Sequence, residues 1–112
     1  EEFHKYWVTA HAGLIKSHAE ALGAARYIQS HTIDSELATA SNEARGSSLP
    51  PFDGITEFWW QDFAAMSPEG TSPEAMIEIQ KQLLEDERTF IDLENSVIFL
   101  TEEHTIYDRD TP

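Results

Sequence analysis

The spacing of apolar residues changes along this chain, and each change marks an element. In residues 1–22, Phe3, Trp7, His11, Leu14 and His18 recur at helical spacing and fall on one side of a helix. Ala12-Gly13 is expected to interrupt that helix just after His11, and Gly23 to stop it. Residues 25–33 then alternate, with Tyr27, Gln29 and His31 on one side and Arg26, Ile28 and Ser30 on the other, which predicts a strand. Residues 34–45 are rich in Ala, Ser and Glu and predict a short helix capped by Asp34 or Ser35. Gly, Pro and Ser make 46–54 a loop.

Residues 55–63 predict a second strand with bulky side chains on both faces, so burial on both sides of the sheet is expected. Ser67-Pro68 and Ser72-Pro73 mark a turn region. Residues 74–93 carry the clearest helical pattern: Met76, Ile79, Leu83 and Phe90 make a stripe that Ile77, Leu84 and Ile91 widen. Val97, Ile98, Phe99 and Leu100 predict a last strand over 96–101, and 107–112 read as a polar tail. The order is helix, strand, helix, strand, helix, strand. One strand added in front gives βαββαβ, the ferredoxin-like α+β unit with an antiparallel sheet; without it, the sheet has an exposed edge.

At 112 residues this reads as one domain, with a core over 1–106. Acidic residues outnumber basic ones 21 to 7, for a formal net charge of -14. Such a surface repels phosphate backbones and anionic membranes, so neither nucleic acid nor membrane is an expected partner. Glu74, Glu78, Glu85, Asp86 and Glu87 read as a solvated helix face. The chain has no cysteine, which excludes disulfides, thiolate metal sites and cysteine nucleophiles. No apolar run approaches the roughly 20 residues of a membrane span. No signal-peptide pattern is present either, so a cytoplasmic location is expected.

Candidate chemistry centres on histidine. His4, His11 and His18 repeat every seven residues, about 10 Å apart along a helix, too far to share one metal ion. Glu102, Glu103 and His104 are sequence neighbours, which point opposite ways on a strand. No metal site is expected. An imidazole moves protons in either direction near neutral pH. His11 on the helix, facing Tyr27 and His31 on the strand, makes a candidate acid-base pocket with Tyr6 on its flank. The alternative is a well-packed core with a few satisfied polar groups. Trp59 and Trp60 are adjacent, so one faces each side of the sheet. Glu57 shares a face with Trp59, where burial would raise its pKa. The chain contains no nucleophile elbow, dinucleotide fingerprint or Walker loop.

Residues 1–15, opening Glu-Glu-Phe-His-Lys-Tyr-Trp-Val-Thr-Ala-His, resemble the first helix of EthD-domain proteins. Residues 25–32 and 52–60 resemble the strands that follow in that family. Residues 84–92, with Asp86-Glu87 and Phe90-Ile91-Asp92, and the run 102–104 resemble its closing helix and strand. The resemblance implies a dimeric α/β barrel, in which two ferredoxin-like subunits pack sheet to sheet as a homodimer. It also implies a first strand upstream of Glu1. Relatives with the wider barrel fold include cofactor-free cyclases, isomerases, decarboxylases and oxygenases, together with haem-degrading enzymes. Among them, methylmuconolactone isomerase-like proteins carry a histidine and a tyrosine that match His11 and Tyr27.

The resulting expectation is an enzyme without a cofactor. It would isomerise, dehydrate, decarboxylate or cyclise a small hydrophobic oxygenated compound. His11, Tyr27 and His31 are the catalytic candidates, and Tyr6, Trp7, Phe58, Trp59, Glu57 and His104 the substrate-binding ones. Two alternatives stand beside it. One is a monooxygenase, cofactor-free or with haem held by a helix histidine. The other is an accessory protein that shelters a hydrophobic metabolite.

Overall fold

A computed structural model describes residues 1–110. Its first element is a single long helix in three parts: α1 (Glu2–Tyr6), a π-helical turn (Trp7–His11) and α2 (Ala12–Leu22). The expected interruption at Ala12-Gly13 does not occur; the irregularity lies one turn earlier, as an inserted residue. In that turn the Ala12 N–H bonds the Trp7 carbonyl, five residues back instead of four. Gly23 ends the helix as the pattern predicts, with φ 75° in the left-handed region.

Strand β1 (Arg26–His31) pairs antiparallel with β2 (Gly54–Trp59), and α3 (Glu36–Ala44) lies between them in sequence. Ser35 caps α3 through the Ala38 N–H. Ser72 caps α4 (Pro73–Glu87) through the Ala75 N–H, with Pro73 at the first helical position. On the helix side of the sheet Tyr27 stands opposite Phe58, Gln29 opposite Thr56 and His31 opposite Gly54. On the other side Arg26 faces Trp59, Ile28 faces Glu57 and Ser30 faces Ile55.

The core lies where α2 crosses α4 above the sheet. Ile15, Leu22, Ile79 and Leu83 are buried there, with Leu14, Met76, Tyr27 and Phe58 packed around them. Trp60 leaves β2 and its indole N–H bonds the Leu22 carbonyl, locking the end of α2 to the sheet. The protein is nonetheless thin and open. Its radius of gyration is 16.9 Å, against about 13 Å for a compact chain of this length.

Several expectations change accordingly. The described residues form an α+β unit with a two-stranded antiparallel sheet, not a full ferredoxin-like sheet. No strand forms over 96–101: the segment pairs with neither open edge of the two-stranded sheet, and apolar β-branched residues do not hold a strand without a paired backbone. After a 3-10 turn (Leu93–Asn95), Val97, Ile98, Phe99 and Leu100 run on exposed. Burial on both faces of the sheet is also not seen. Helices cover one face, while Ile55 and Glu57 on the other are exposed. Helix α4 ends at Glu87, six residues early, and Ile77 and Leu84 are exposed because α2 covers a single stripe of it. Of the tail, 107–110 is exposed, and Thr111 and Pro112 lie outside the described residues.

Candidate functional site

The π-helical turn decides which way the first helix points its histidines. In an unbroken α-helix, residues seven apart share a face. From His11, the last residue of the turn, to His18 the helix is regular, and both side chains reach α4: His11 bonds Asp86, and His18 bonds Gln82 at 3.0 Å. His4 lies on the other side of the inserted residue. One extra residue sets later side chains back by about 100°, so His4 meets β1 instead. The turn is held by Gln29, whose amide donates to the Trp7 carbonyl at 2.8 Å and to the Tyr27 oxygen at 2.9 Å. Polar groups inserted at a helix carbonyl are a recognised cause of such irregularities.

Two polar clusters result. The first lies between helix and sheet. His31 Nε2 donates to Gln29 Oε1 at 2.8 Å, since the amide nitrogen already serves as donor. A neutral His31 then accepts at Nδ1, where His4 Nδ1 lies 2.7 Å away, so this contact holds one proton. Trp7 stacks on His31 with ring centroids 4.1 Å apart. Burial, and then the neighbouring His4, hold the His31 imidazole below its ordinary pKa. Gly54 is required here, because a Cβ on it would come within 2.6 Å of the Trp7 ring and 2.4 Å of the Ser30 carbonyl oxygen.

The second cluster lies between the helix and the end of α4. His11 is 3% exposed. Its Nδ1–H donates to Asp86 Oδ2 at 2.6 Å, and the Tyr6 hydroxyl donates to Asp86 Oδ1. Phe90 closes the cluster, its ring 4.9 Å from His11 and 5.0 Å from Tyr6. Because the carboxylate holds the Nδ1 proton, neutral His11 carries its lone pair on Nε2, the tautomer of a general base. Glu87 Oε2 stands 4.0 Å from Nε2. The hydrogen bond to Asp86 raises the Tyr6 phenol, against a smaller lowering by Thr89, so Tyr6 stays a donor. Burial raises the Glu87 carboxyl; His11 pulls it down and Asp86 pushes it further up.

The Glu87 shift fixes a sign. A raised folded-state pKa gives stability that is present below the ordinary Glu range and lost as pH rises through the folded value. Glu87→Gln should therefore unfold at higher urea than the parent at pH 7. The gap should close as pH falls below about 4, where Glu becomes protonated in both states. A variant less stable at pH 7 would show that Glu87 is held by attraction to His11 rather than penalised by burial.

The sequence-predicted residues divide among separate places. Tyr6, Trp7 and His11 share the first helix, but only Tyr6 and His11 meet, through Asp86. Tyr27 turns into the core against Phe58, and His31 turns to His4. Trp59 lies on the open face beneath the Arg26 guanidinium, 4.9 Å away, and Glu57 is exposed on that same face. His104 is exposed, 3.9 Å from Glu102. Sequence reasoning placed Asp86 and Glu87 on a solvated face and so missed them. A signal was present: Ile79, Leu83, Asp86 and Phe90 are spaced i, i+4, i+7 and i+11, which puts a carboxylate on the buried stripe. Among the described residues no group of three or more potential ligands is placed to hold a metal ion. No helix among them is long and apolar enough to cross a membrane.

In comparisons with known proteins, the family model of the EthD domain matches residues 1–94. No curated protein matches the chain, and no solved structure does.

Proposed function

The chain belongs to the EthD-domain family, and on that footing we propose that it is a cofactor-independent enzyme acting by proton transfer on a small, hydrophobic, oxygenated molecule. The observation that carries this reading is the 2.6 Å bond from His11 Nδ1 to Asp86, completed by the Tyr6 hydroxyl. Asp86 orients the ring and offsets the charge that His11 gains on taking a proton. Substrate would approach the Nε2 edge beside Glu87 and Phe90. A C–H made acidic by a neighbouring carbonyl passes its proton to Nε2, and the resulting enol or enolate isomerises, eliminates or closes a ring. The half-buried Glu87 carboxyl is the second proton carrier. Tyr27 and His31, at the sheet, would contact substrate only from the far side of the helix.

One observation favours the rival reading of a binding protein without chemistry: His11 is almost fully buried. Proton exchange separates the two. In D2O, the full chain should exchange the α-protons of enolisable aryl ketones or lactones, followed by NMR, and His11→Ala should slow exchange by about 10²–10⁴-fold. Equal exchange by both proteins would leave binding alone.

The reading extends to a cytoplasmic homodimer of barrel type. Among the described residues no other element covers the sheet face bearing Ile28, Ile55 and Trp59, and Ile55 is 57% exposed. A second copy laid on that face would bury it with two-fold symmetry. Sedimentation should give twice the chain mass, and Ile55→Lys should reduce it to one; a monomeric parent protein at micromolar concentration would remove the barrel from the proposal.

A further inference from the structure

Four polar groups between the first helix and the sheet form a single file of hydrogen bonds. His4 Nδ1 lies 2.7 Å from His31 Nδ1, His31 Nε2 donates to Gln29 Oε1 at 2.8 Å, and the Gln29 amide donates to the Trp7 carbonyl at 2.8 Å. From the far end, each link fixes the next. The Trp7 carbonyl only accepts, so the amide nitrogen faces it, the amide oxygen faces His31, and neutral His31 keeps a lone pair at Nδ1. The His4 contact therefore runs from a His4 N–H to that lone pair. The ring centroids are 4.9 Å apart, which sets the two imidazoles end on. Ligands of one metal ion would instead converge on a third point, so this geometry fits a shared proton.

We infer that this contact is a proton-operated latch between α1 and β1, closed while the two imidazoles carry at most one positive charge and open when both are charged. One added proton lands on His4 Nε2 and leaves the His4 N–H facing the His31 lone pair. The second must take that lone pair, so that two N–H groups and two like charges oppose each other. Burial and then His4 hold His31 below its ordinary pKa, so it is the later of the two to charge. No other charge intervenes. The strands present Gln29, Gly54 and Thr56 on that face, none of them titratable. No carboxylate is within 4 Å of either ring among the described residues, and Glu1, Glu2, Lys5, Asp34 and Asp53 are exposed. Helix α1 is light enough to move: it buries no residue, and its other ties are the Tyr6–Asp86 bond and the Phe3 ring against Phe90. Docking is therefore weakened as pH falls from the ordinary histidine value toward the lowered one. The latch does not depend on the proposed proton chemistry, because what it moves is α1.

Nitrogen-15 shifts of the histidine rings in the full chain, followed from about pH 8 to about pH 5, test it directly. His4 should take its proton first, and His31 only after it. Over the second step the exchange protection of the Lys5 amide, corrected for the intrinsic rate, should fall about ten-fold, as loss of one hydrogen bond and gain of one like-charge contact supply. His4→Asn places an amide near Nδ1 that can turn to donate or to accept. In that variant the protection of Lys5 should no longer follow pH. His18→Gln, on the same helix but bonded to Gln82, should leave the response as it is in the parent. The parent titration needs no variant, so the test stands even if His4→Asn fails to fold. Two rings that charge together, a Lys5 amide indifferent to pH, or an equal fall in folded His4→Asn would each overturn the latch.

Discussion

Asp86→Asn is expected to cost more activity than any other isosteric change in this chain, about 10²–10⁴-fold in the proton exchange assigned to His11. The reason is an imbalance of donors. Asp86 accepts from Tyr6 at one oxygen and from His11 Nδ1 at the other. Asparagine has one acceptor and one donor, so one of the two partners must face an N–H. If the amide oxygen stays with Tyr6, His11 must move its proton to Nε2 and loses the lone pair that takes a proton from substrate. The loss in stability should be about 1–3 kcal/mol, the cost of a polar pair left mismatched in a partly buried site. Tyr6→Phe supplies the discriminating partner. In the double variant the asparagine oxygen is free to turn to His11, so part of the lost activity should return. Nitrogen-15 shifts of the His11 ring report the tautomer directly. An Asp86→Asn protein that keeps the Nδ1–H form with activity intact would remove Asp86 from the mechanism.

The largest stability effect is expected at Gly23. Its φ of 75° is a conformation that side chains resist by about 1–2 kcal/mol. A Cβ there would also stand 2.0 Å from the Ala65 carbonyl oxygen, part of the backbone. Relieving that clash requires the end of α2 to move away from the turn at 64–66, and α2 carries half of the buried core through Ile15 and Leu22. Gly23→Ala should lose at least about 3 kcal/mol, most of the stability of a chain with so small a core. Gly46 is the internal control. Its φ is 70°, but nothing lies within 4 Å of a built Cβ, so Gly46→Ala should lose only about 1 kcal/mol. Urea midpoints that fall equally for the two variants would mean that the contact with Ala65 does not form in solution.

Local signals read correctly wherever the physics was local. Gly23 stops a helix because of its own backbone freedom, and Ser35 and Ser72 start helices by bonding an N–H three residues on. Alternation placed Tyr27, Gln29 and His31 on one face of β1, and the adjacent tryptophans on opposite faces of the sheet. What failed depended on a distant partner. The run Val97, Ile98, Phe99, Leu100 has strong strand propensity, but propensity supplies no neighbouring backbone. The π-helical turn is imposed partly by Gln29, twenty-two residues away, and no window around Trp7 contains that information. His11 lies buried on the apolar side of its helix, yet its ring meets Asp86 and not Tyr27 or His31, because the stripe it shares with His18 packs against α4, a partner 75 residues away in sequence. Asp86 answers to the same logic read from the other helix: an acid at the spacing of Ile79 and Leu83 is as conspicuous as a histidine at the spacing of Trp7.

The inserted residue in the first helix also makes histidine placement a matter of phase. Removing one of Val8, Thr9 or Ala10 from the turn would restore the four-residue step and leave the residues of both clusters in place in the sequence. With α2 anchored by Ile15 and Leu22, the segment before the deletion would rotate by about 100°, turning His4 and Trp7 off the sheet and Tyr6 off Asp86. Scanning this helix by substitution perturbs one contact at a time. A single-residue deletion would re-index both polar clusters at once, as would evolution's smallest insertion, so length at this turn is as much a functional variable as identity.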